Sequence, residues 1–240
     1  ASDVYKRQVL AQDFLRLRAA ELLDVFAVYG HYYSARIGRG SEAPLEALRS
    51  RLEIAPRQWA QSDLDDRQAD LLVIMMNPGA SRPLETLWDK AAPDGLVAAQ
   101  PDRTQYQIMR LLCAAQAMGV PWRHARVFNL SDLRTPKSAE MLAKLRLYRG
   151  QDSHSLFSQT RQAERQRWLG ADSTPVLCAW GLDPGLSDLA SRALQAVAAH
   201  PLLGWSQGPF GYRHPLPQTH NLQQQWLQVV VNQLAARHRR

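Results

Sequence analysis

Residues 70–81 read DLLVIMMNPGAS and contain the pattern that decides the fold. The apolar run 71–76 is continuous, which is typical of a strand covered on both faces of a parallel sheet. The run stops at Asn77, and Pro78 and Gly79 follow as strong turn residues. In open α/β sheets ligands bind beyond the carboxyl ends of the strands, so the amide of Asn77 is predicted to lie in a binding cleft.

Strand-like and helix-like segments alternate after this run. The patterns predict strands at 124–130, 174–181 and 204–217, and helices at 104–118, 135–150, 151–170, 185–200 and 222–240. This alternation indicates an α/β fold, namely a three-layer α/β/α sandwich with a central, mainly parallel four-stranded sheet.

The N-terminal quarter of the chain has a different pattern. Apolar residues at spacings of three and four predict a helix over 9–37, and 44–52 is expected to form a short helix. We therefore expect a helical N-terminal extension at 9–67 and one α/β domain at 68–240. The first eight residues include DVYKRQ (3–8), which reads like a translated transposon end from a sequencing library. We interpret 1–8 as a cloning or sequencing scar, the alternative being an ordinary polar segment.

The composition is that of a globular protein, with 45% hydrophobic and 21% charged residues. The longest apolar runs are too short to span a bilayer, and we see no secretory signal. Cys113 and Cys178 are the only cysteines, and their apolar surroundings indicate free thiols and a cytoplasmic location. Two thiols cannot hold an iron–sulfur cluster and no zinc spacing occurs, so we expect no metal and no cofactor. The net charge of +7 favours a polyanionic partner.

Polar side chains follow three of the predicted strands. Asn77 ends the first, Asn129 ends the second with Asp132 and Arg134 close behind, and His214 follows the last. The carboxyl ends of parallel strands meet at one edge of a sheet, so the sequence predicts a site there. Asp132 and Arg134 are interpreted as a structural ion pair or loop anchors, with a phosphate contact as the alternative for Arg134.

Four motifs resemble those of the uracil-DNA glycosylase superfamily. They are MNPG (76–79), RVFNLSDLRTP (126–136), VLCAWG (176–181) and HPLP (214–217). The Asn-Pro-Gly motif is similar to that of the mismatch-specific and thymine-DNA branches. The segments PDRTQYQIMRL (101–111), NLSDLRTP and GYRHPLP are similar to an uncharacterised bacterial family of the same fold. The resemblance covers 68–235, but Leu216 replaces the usual serine and no Pro-Tyr-His follows Gly79.

The resemblance implies a monofunctional DNA glycosylase. Asn77 would position the attacking water, His214 would donate to a carbonyl oxygen of the leaving base, and Asn129 would read the base edge. Other roles stay open at this point. Asn77 can be a turn residue, Asn129 a strand-end cap, and His214 a satisfied, partly buried histidine. No lysine occupies a site position that would indicate a Schiff-base lyase.

The residues around the first motif suggest a wide substrate pocket. Pro78, Gly79, Ala80 and Ser81 lack the bulky aromatic with which the strict uracil enzymes exclude a C5 substituent. We therefore expect substrates with bulk at C5 of a pyrimidine, including decorated cytosines of phage DNA, and hence a role in defence. A stacking platform for the base is expected from Trp88, Phe210 or Tyr106, although aromatic residues are commonly core residues.

The predicted partner is DNA with an extruded base, bound by a monomer. The segment 214–224 occupies the position of the superfamily's wedge loop, so Leu216 and Leu222 are candidate wedges, with Arg213 and Gln218 beside them as DNA contacts. The basic stretch 161–170 is either a phosphate-binding surface or a solvated helix face, and the tail 237–240 is a further candidate. Two rival functions stay open, a catalytically silent nucleic-acid-binding module and a hydrolase of free nucleosides or nucleotides.

Overall fold

The computed structural model describes residues 13–38, 42–84 and 95–238. The strands are β1 Phe26–Arg36, β2 Leu45–Pro56, β3 Leu71–Met75, β4 Arg82–Pro83, β5 Val97–Gln100, β6 Ala125–Asn129, β7 Val176–Cys178, β8 Leu202–Leu203, β9 Ser206–Gln207 and β10 Gly211–Tyr212. The helices are α1 Ala19–Val25, α2 Arg103–Ala117, α3 Ser138–Leu147, α4 Gln162–Leu169, α5 Ser187–Ala196 and α6 His220–His238. The predicted α/β class is confirmed.

The main sheet is mixed and has eight strands in the order β4-β5-β1-β2-β6-β3-β7-β8, whereas β9 and β10 form a separate hairpin. Strands β6, β3, β7 and β8 pair in parallel. Strand β2 joins β6 antiparallel, and β1, β5 and β4 continue the antiparallel half. The sheet is therefore larger than the predicted four strands, because β1 and β2 of the N-terminal part and the short β4 and β5 that follow β3 add to it.

Helices cover both faces of the parallel strands. Leu71 and Val73 of β3 pack in one apolar cluster with residues of α2 and α6, such as Ile108 and Trp226. Their neighbour Leu72 points the other way, into a second cluster with α5. We call these sides the α2/α6 face and the α5 face. The double burial explains why the β3 sequence is continuously apolar.

The helices predicted at 9–37 and 44–52 do not form over 26–36 and 45–52, which are strands. Residues 26–36 and 45–56 form the long hairpin β1–β2, and the described chain before it is helical only at 13–15 and in the short α1. Buried and half-buried residues alternate along β1 up to Tyr33, which is the period of a strand. The helical spacing was misleading because β1 is rich in tyrosine and its alternation is equally regular. The pairing of β1 with β2, and of β2 with β6, then fixes the strand conformation of the hairpin.

Most other elements lie where the sequence placed them. The predictions for β3, β6, β7, α2, α3, α5 and α6 are confirmed within a few residues. Helix α4 is shorter than the predicted 151–170, and the predicted strand 204–217 is instead the hairpin β9–β10. None of the helices in the described ranges has the length and apolar character needed to cross a membrane.

Candidate active site

The ends of β3 and β6 lie side by side at one edge of the sheet. Met75 is the register partner of Asn129, the Leu130 amide donates to Met75 O at 2.7 Å, and the Ser131 amide donates to Met76 O at 3.2 Å. The two asparagines that follow from the motifs, Asn77 and Asn129, therefore leave neighbouring strands at the same edge.

The side chain of Asn77 is oriented by the loop that follows β6. Its Nδ2 donates to Leu133 O at 3.3 Å, to Thr135 O at 2.9 Å and to Thr135 Oγ1 at 3.1 Å. The amide is thus held by a distant loop and not by its own turn, which argues against the role of a simple turn residue. Because all these bonds use the nitrogen, the orientation directs Oδ1 away from the loop as an acceptor.

The turn after Asn77 leaves open space. Gly79 has φ +62°, a left-handed conformation that favours glycine, and a Cβ added there would meet no atom of the described residues within 4 Å. Pro78 is buried and accepts from the Ser81 amide at 3.3 Å, whereas Ala80 is exposed. The residues after the motif were expected to lack bulky side chains, and around Gly79 no other described residue comes close either.

Asn129 is fully buried, and neither its Nδ2 nor its Oδ1 has a hydrogen-bond partner among the described residues. A strand-end cap would require such a bond, so that alternative fails. A buried amide without partners costs roughly 1–3 kcal/mol per group. Unsatisfied groups of this kind call for an explanation, and a bound water or ligand is a common one.

The loop 132–135 is anchored from below by Asp132. Asp132 Oδ2 accepts from the hydroxyl of Tyr33 at 2.9 Å and forms an ion pair with Arg161. Burial raises the pKa of the Asp132 carboxyl to about 6, and the nearby Arg161 opposes that rise. Asp132 is therefore a loop anchor, as expected, with Arg161 as its cationic partner.

Arg134 connects the same loop to the first motif. Its Nε donates to Ser81 O at 2.9 Å, and its guanidinium lies 5.2 Å from the centre of the Tyr32 ring. The Tyr32 hydroxyl in turn lies 2.9 Å from Ser81 Oγ. Ser81 is therefore a buried structural residue of the turn, and the predicted phosphate contact of Arg134 stays a prediction.

Arg49 was not among the predicted site residues. It lies directly opposite Tyr32 in the β1–β2 pairing and is only 1% exposed. Its Nε and Nη1 have no hydrogen-bond partner in the described part of the chain, and burial lowers the pKa of its guanidinium. The alternation in 26–36 was the sequence signal that could have identified Arg49. If 26–36 is assigned as a strand, its pairing with β2 places Arg49 inside the sheet.

His214 has a defined tautomer. Its Nδ1 accepts from the Leu216 amide at 3.1 Å, so the neutral ring carries its proton on Nε2. Burial lowers the pKa of His214, and the carboxylate of Asp102 opposes this shift. Asp102 also acts in the same direction on the pKa of Arg49, so both groups lie within the field of one carboxylate.

The segment that carries His214 is held against helix α6. Trp226 Nε1 donates to Arg213 O at 3.0 Å, and Gln223 Nε2 donates to Pro217 O at 2.9 Å. Trp226 belongs to the cluster on the α2/α6 face. Asn129 and Arg49 project from the same face, because their register partners Met75 and Tyr32 belong to that cluster.

The predicted DNA-contact residues lie in and near this segment with different exposure. Gln218 is exposed, Leu216 and Leu222 are half-buried, and Arg213 lies with its guanidinium 4.6 Å from the Trp205 ring centre. Their role as DNA contacts stays a prediction.

The predicted stacking residues divide into three cases. Phe210 is 38% exposed in the turn between β9 and β10, whereas Tyr106 packs partly against the core. Trp88 lies outside the described residues.

The basic stretch on α4 is largely used inside the protein. Arg161 pairs with Asp132 and Glu164, and Arg165 donates to Ser158 O at 2.9 Å. Only Arg167 of the three arginines is exposed, and it packs on Trp168. These contacts favour a structural role for α4 over the phosphate-binding alternative.

Two cavities lie away from these residues. One of about 590 Å³ is lined by His31, Ser50, Arg51 and residues of α4, and another of about 260 Å³ lies beside His154. Neither is lined by a predicted catalytic or substrate-binding residue. The described residues contain no group of three or more side chains suited to hold a metal ion.

Comparisons of this chain with family models, with curated proteins and with solved structures found no match in any of the three. The assignment of a function therefore depends on the residues and their geometry.

Proposed function

We propose that this chain is a monofunctional DNA glycosylase that extrudes a damaged or C5-modified pyrimidine and hydrolyses its N-glycosidic bond. The observation that carries the proposal is Asn129, whose buried amide has two unpartnered polar atoms beside the end of β3. A donor and an acceptor on one planar group match the edge of a nucleobase.

The architecture supports this proposal. Parallel strands β6, β3, β7 and β8 with helices on both faces are consistent with the three-layer sandwich of the uracil-DNA glycosylase superfamily. In such sheets the site is expected beyond the carboxyl ends of the strands, where Asn77 and Asn129 lie.

The proposed reaction assigns one task to each polar side chain. Asn77 Oδ1 accepts from a water and holds it near the anomeric carbon, since Nδ2 is fixed by Leu133 and Thr135. The bond between C1′ and the base breaks with its electron pair going to the base. The water oxygen bonds to C1′ and its proton passes to solvent. His214 donates from Nε2 to a carbonyl oxygen of the departing base and stabilises its charge.

His214 performs this task as a neutral group. Its Nδ1 is occupied by the Leu216 amide and burial lowers its pKa, so the ring keeps one proton at neutral pH. We propose that Asn77 and His214 face a common cavity on the α2/α6 face and contact one extruded base, which costs a few kcal/mol of unstacking.

The substrate is proposed to carry bulk at C5. Around Gly79 the described residues leave open space, and the side chains of Ala80 and Ser81 are short, so there is room beside the base. Decorated cytosines of phage DNA fit this requirement, and a role in defence follows from it. The wedge is assigned to Leu216 and Leu222, with Arg213 and Gln218 as neighbouring DNA contacts.

The test is excision on a panel of oligonucleotides. The panel carries uracil, a thymine mismatch, hydroxymethylcytosine and its glucosylated form, in single and double strands, with phage genomic DNA beside it. Alkali converts each abasic site into a strand break. Wild type and Asn77→Ala are compared with Asn232→Ala, which changes an exposed asparagine on α6.

Three outcomes separate the candidates. Breaks that disappear in Asn77→Ala and persist in Asn232→Ala support the glycosylase. Binding of DNA without breaks on any substrate favours a silent nucleic-acid-binding module. Turnover of free nucleosides alone favours a nucleoside hydrolase. Excision of plain uracil but of no C5-modified base would contradict the wide pocket.

A further inference from the structure

Arg49 is a buried cation without a counter-ion in the described chain. Its residue exposure is 1%, its Nε and Nη1 have no hydrogen-bond partner, and no carboxylate of the described residues forms an ion pair with it. A buried guanidinium in this state is costly, and structural arginines in protein interiors are normally paired. The arrangement therefore needs a partner from outside the described residues.

The two carboxylates whose charge acts on Arg49, Asp102 and Asp132, are bound to other groups. Asp102 begins helix α2 and accepts from the amides of Thr104 and Gln105 at 2.8 and 3.0 Å. Asp132 accepts from Tyr33 and pairs with Arg161. Both raise the pKa of Arg49 through their charge alone. They therefore partly stabilise the charged guanidinium without forming a hydrogen bond or an ion pair with it.

The position of Arg49 connects it to the candidate site by three contacts. Its backbone amide donates to Asp132 O at 2.9 Å, in the loop whose next residues hold Asn77. Its register partner Tyr32 reaches Ser81 of the Asn-Pro-Gly turn. Its side chain projects from the α2/α6 face, as Asn129 does.

We infer that Arg49 is a further catalytic residue, whose guanidinium donates to the departing base and neutralises the negative charge that the base acquires. This assignment rests on the proposed glycosylase function. The hairpin β1–β2, which lies outside the segment that resembles known glycosylases, then supplies the charged donor of the site. Arginine is suited to this role because it is donor-only and keeps its charge when buried.

This role also explains why Arg49 has no ion-pair partner among the described residues. In the free protein the buried charge is unfavourable, and it becomes favourable only when the base carries negative charge in the transition state. An interaction that strengthens at that point accelerates the reaction, whereas one made equally with the bound substrate would not. A water-excluded setting makes the interaction stronger than it would be in solvent.

The experiment compares Arg49→Met and Arg49→Lys with Arg165→Met, a matched change of an arginine that donates to the carbonyls of Leu156 and Ser158. Single-turnover excision, DNA affinity and the urea midpoint of unfolding are measured on the best substrate of the panel. We expect Arg49→Met to lose roughly 100-fold or more in rate with DNA affinity unchanged, and Arg49→Lys to recover part of the rate.

The midpoint of unfolding separates this role from a structural one. Removing an unpaired buried charge leaves stability unchanged or higher, so Arg49→Met should not lower the midpoint, whereas Arg165→Met should lower it and keep its rate. An active wild type with an unchanged rate in Arg49→Met, or a lowered midpoint in that variant, overturns the assignment. A wild type that excises nothing from the panel overturns the proposed function and the assignment with it.

Discussion

The orientation of the Asn77 amide can be tested by replacing it with aspartate. In Asn77→Asp an oxygen takes the place of Nδ2 and faces Leu133 O and Thr135 O, which now lie 3.3 and 2.9 Å from the nitrogen. The Thr135 hydroxyl can turn and donate to the new carboxyl. The two carbonyls cannot, so an ionised carboxyl is repelled there.

The loss of stability in Asn77→Asp cannot exceed the cost of protonating the new carboxyl plus the cost of the lost hydrogen bond. A protonated carboxyl can donate to one carbonyl, and holding that proton at pH 7 costs about 4 kcal/mol, since an ordinary aspartate has a pKa near 3.9 and each unit is worth about 1.4 kcal/mol. At pH 5 the same cost is about 1.5 kcal/mol. The second carbonyl bond is lost in either case, at about 1 kcal/mol. The variant should therefore be destabilised by up to about 5 kcal/mol at pH 7 and about 2.5 kcal/mol at pH 5.

The sign follows from the raised pKa of the introduced carboxyl. Its stabilising form is the protonated one, so stability is highest below the pKa of the unfolded chain and is lost as the pH rises. Asn77→Ala lacks the charge and should lose about 2 kcal/mol at both pH values, for the two carbonyl bonds.

The assay is urea unfolding at pH 5 and pH 7, followed by tryptophan fluorescence. Asn232→Asp is the control, because Asn232 is exposed and accepts from Gln228 Nε2 through its carbonyl oxygen. An Asn77→Asp protein as stable as wild type at pH 7 would refute the orientation of this amide. A gain in excision would refute it as well. Such a gain requires an ionised carboxylate, which stabilises a sugar cation better than an amide does, and an ionised carboxylate is repelled by the two carbonyls in the observed orientation.

Three further results are expected. Burial raises the pKa of Asp132 from 3.8 to about 6, so wild type should lose about 2 kcal/mol of stability relative to Asp132→Asn as the pH rises from 4 to 7. Equal pH profiles of the two proteins in urea unfolding would contradict this. Burial lowers the pKa of His214 below 6.5, so excision should stay flat down to that pH and fall only below it, and His214→Leu should lose roughly 100-fold while His220→Leu does not; an acid limb at or above pH 6.5 would oppose a neutral role. Asn129→Leu should keep or raise the urea midpoint and abolish excision, since it removes two unpartnered buried atoms; a clear loss of stability would mean that the amide is paired.

The α/β part of the fold was predictable because its local patterns agree with its tertiary environment. The continuous apolar run of β3 reflects burial on both faces, and the cap of α2 is visible as Asp102 followed by Gln105 three residues later. The positions of Asn77 and Asn129 at one edge follow from the same logic, since both end parallel strands.

The hairpin β1–β2 was not predictable by the same means. Its residues satisfy both a helical and a strand period, and only the pairing of β2 with β6 decides between them. Arg49 was missed for that reason, because a residue on a supposed surface helix has no cause to enter a site. The partner of Asp132 was equally hidden, since Arg161 lies 29 positions away and belongs to another element.

The loop 132–135 explains why its polar residues were hard to assign from sequence. Its backbone carbonyls hold Asn77, its Asp132 carbonyl accepts from the Arg49 amide, and Arg134 holds the turn at Ser81. The loop therefore sets the relative positions of the three groups by contacts that involve mostly main-chain atoms, which leave no trace in residue type. A substitution of Asp132 should consequently disturb both Asn77 and Arg49. The effect of that substitution on excision should therefore not add to the effect of a substitution at Asn77 or at Arg49. Asp132 and Arg134 would then act on the proposed chemistry by positioning other groups, whereas Asn129 and Arg49 are the groups proposed to contact the substrate.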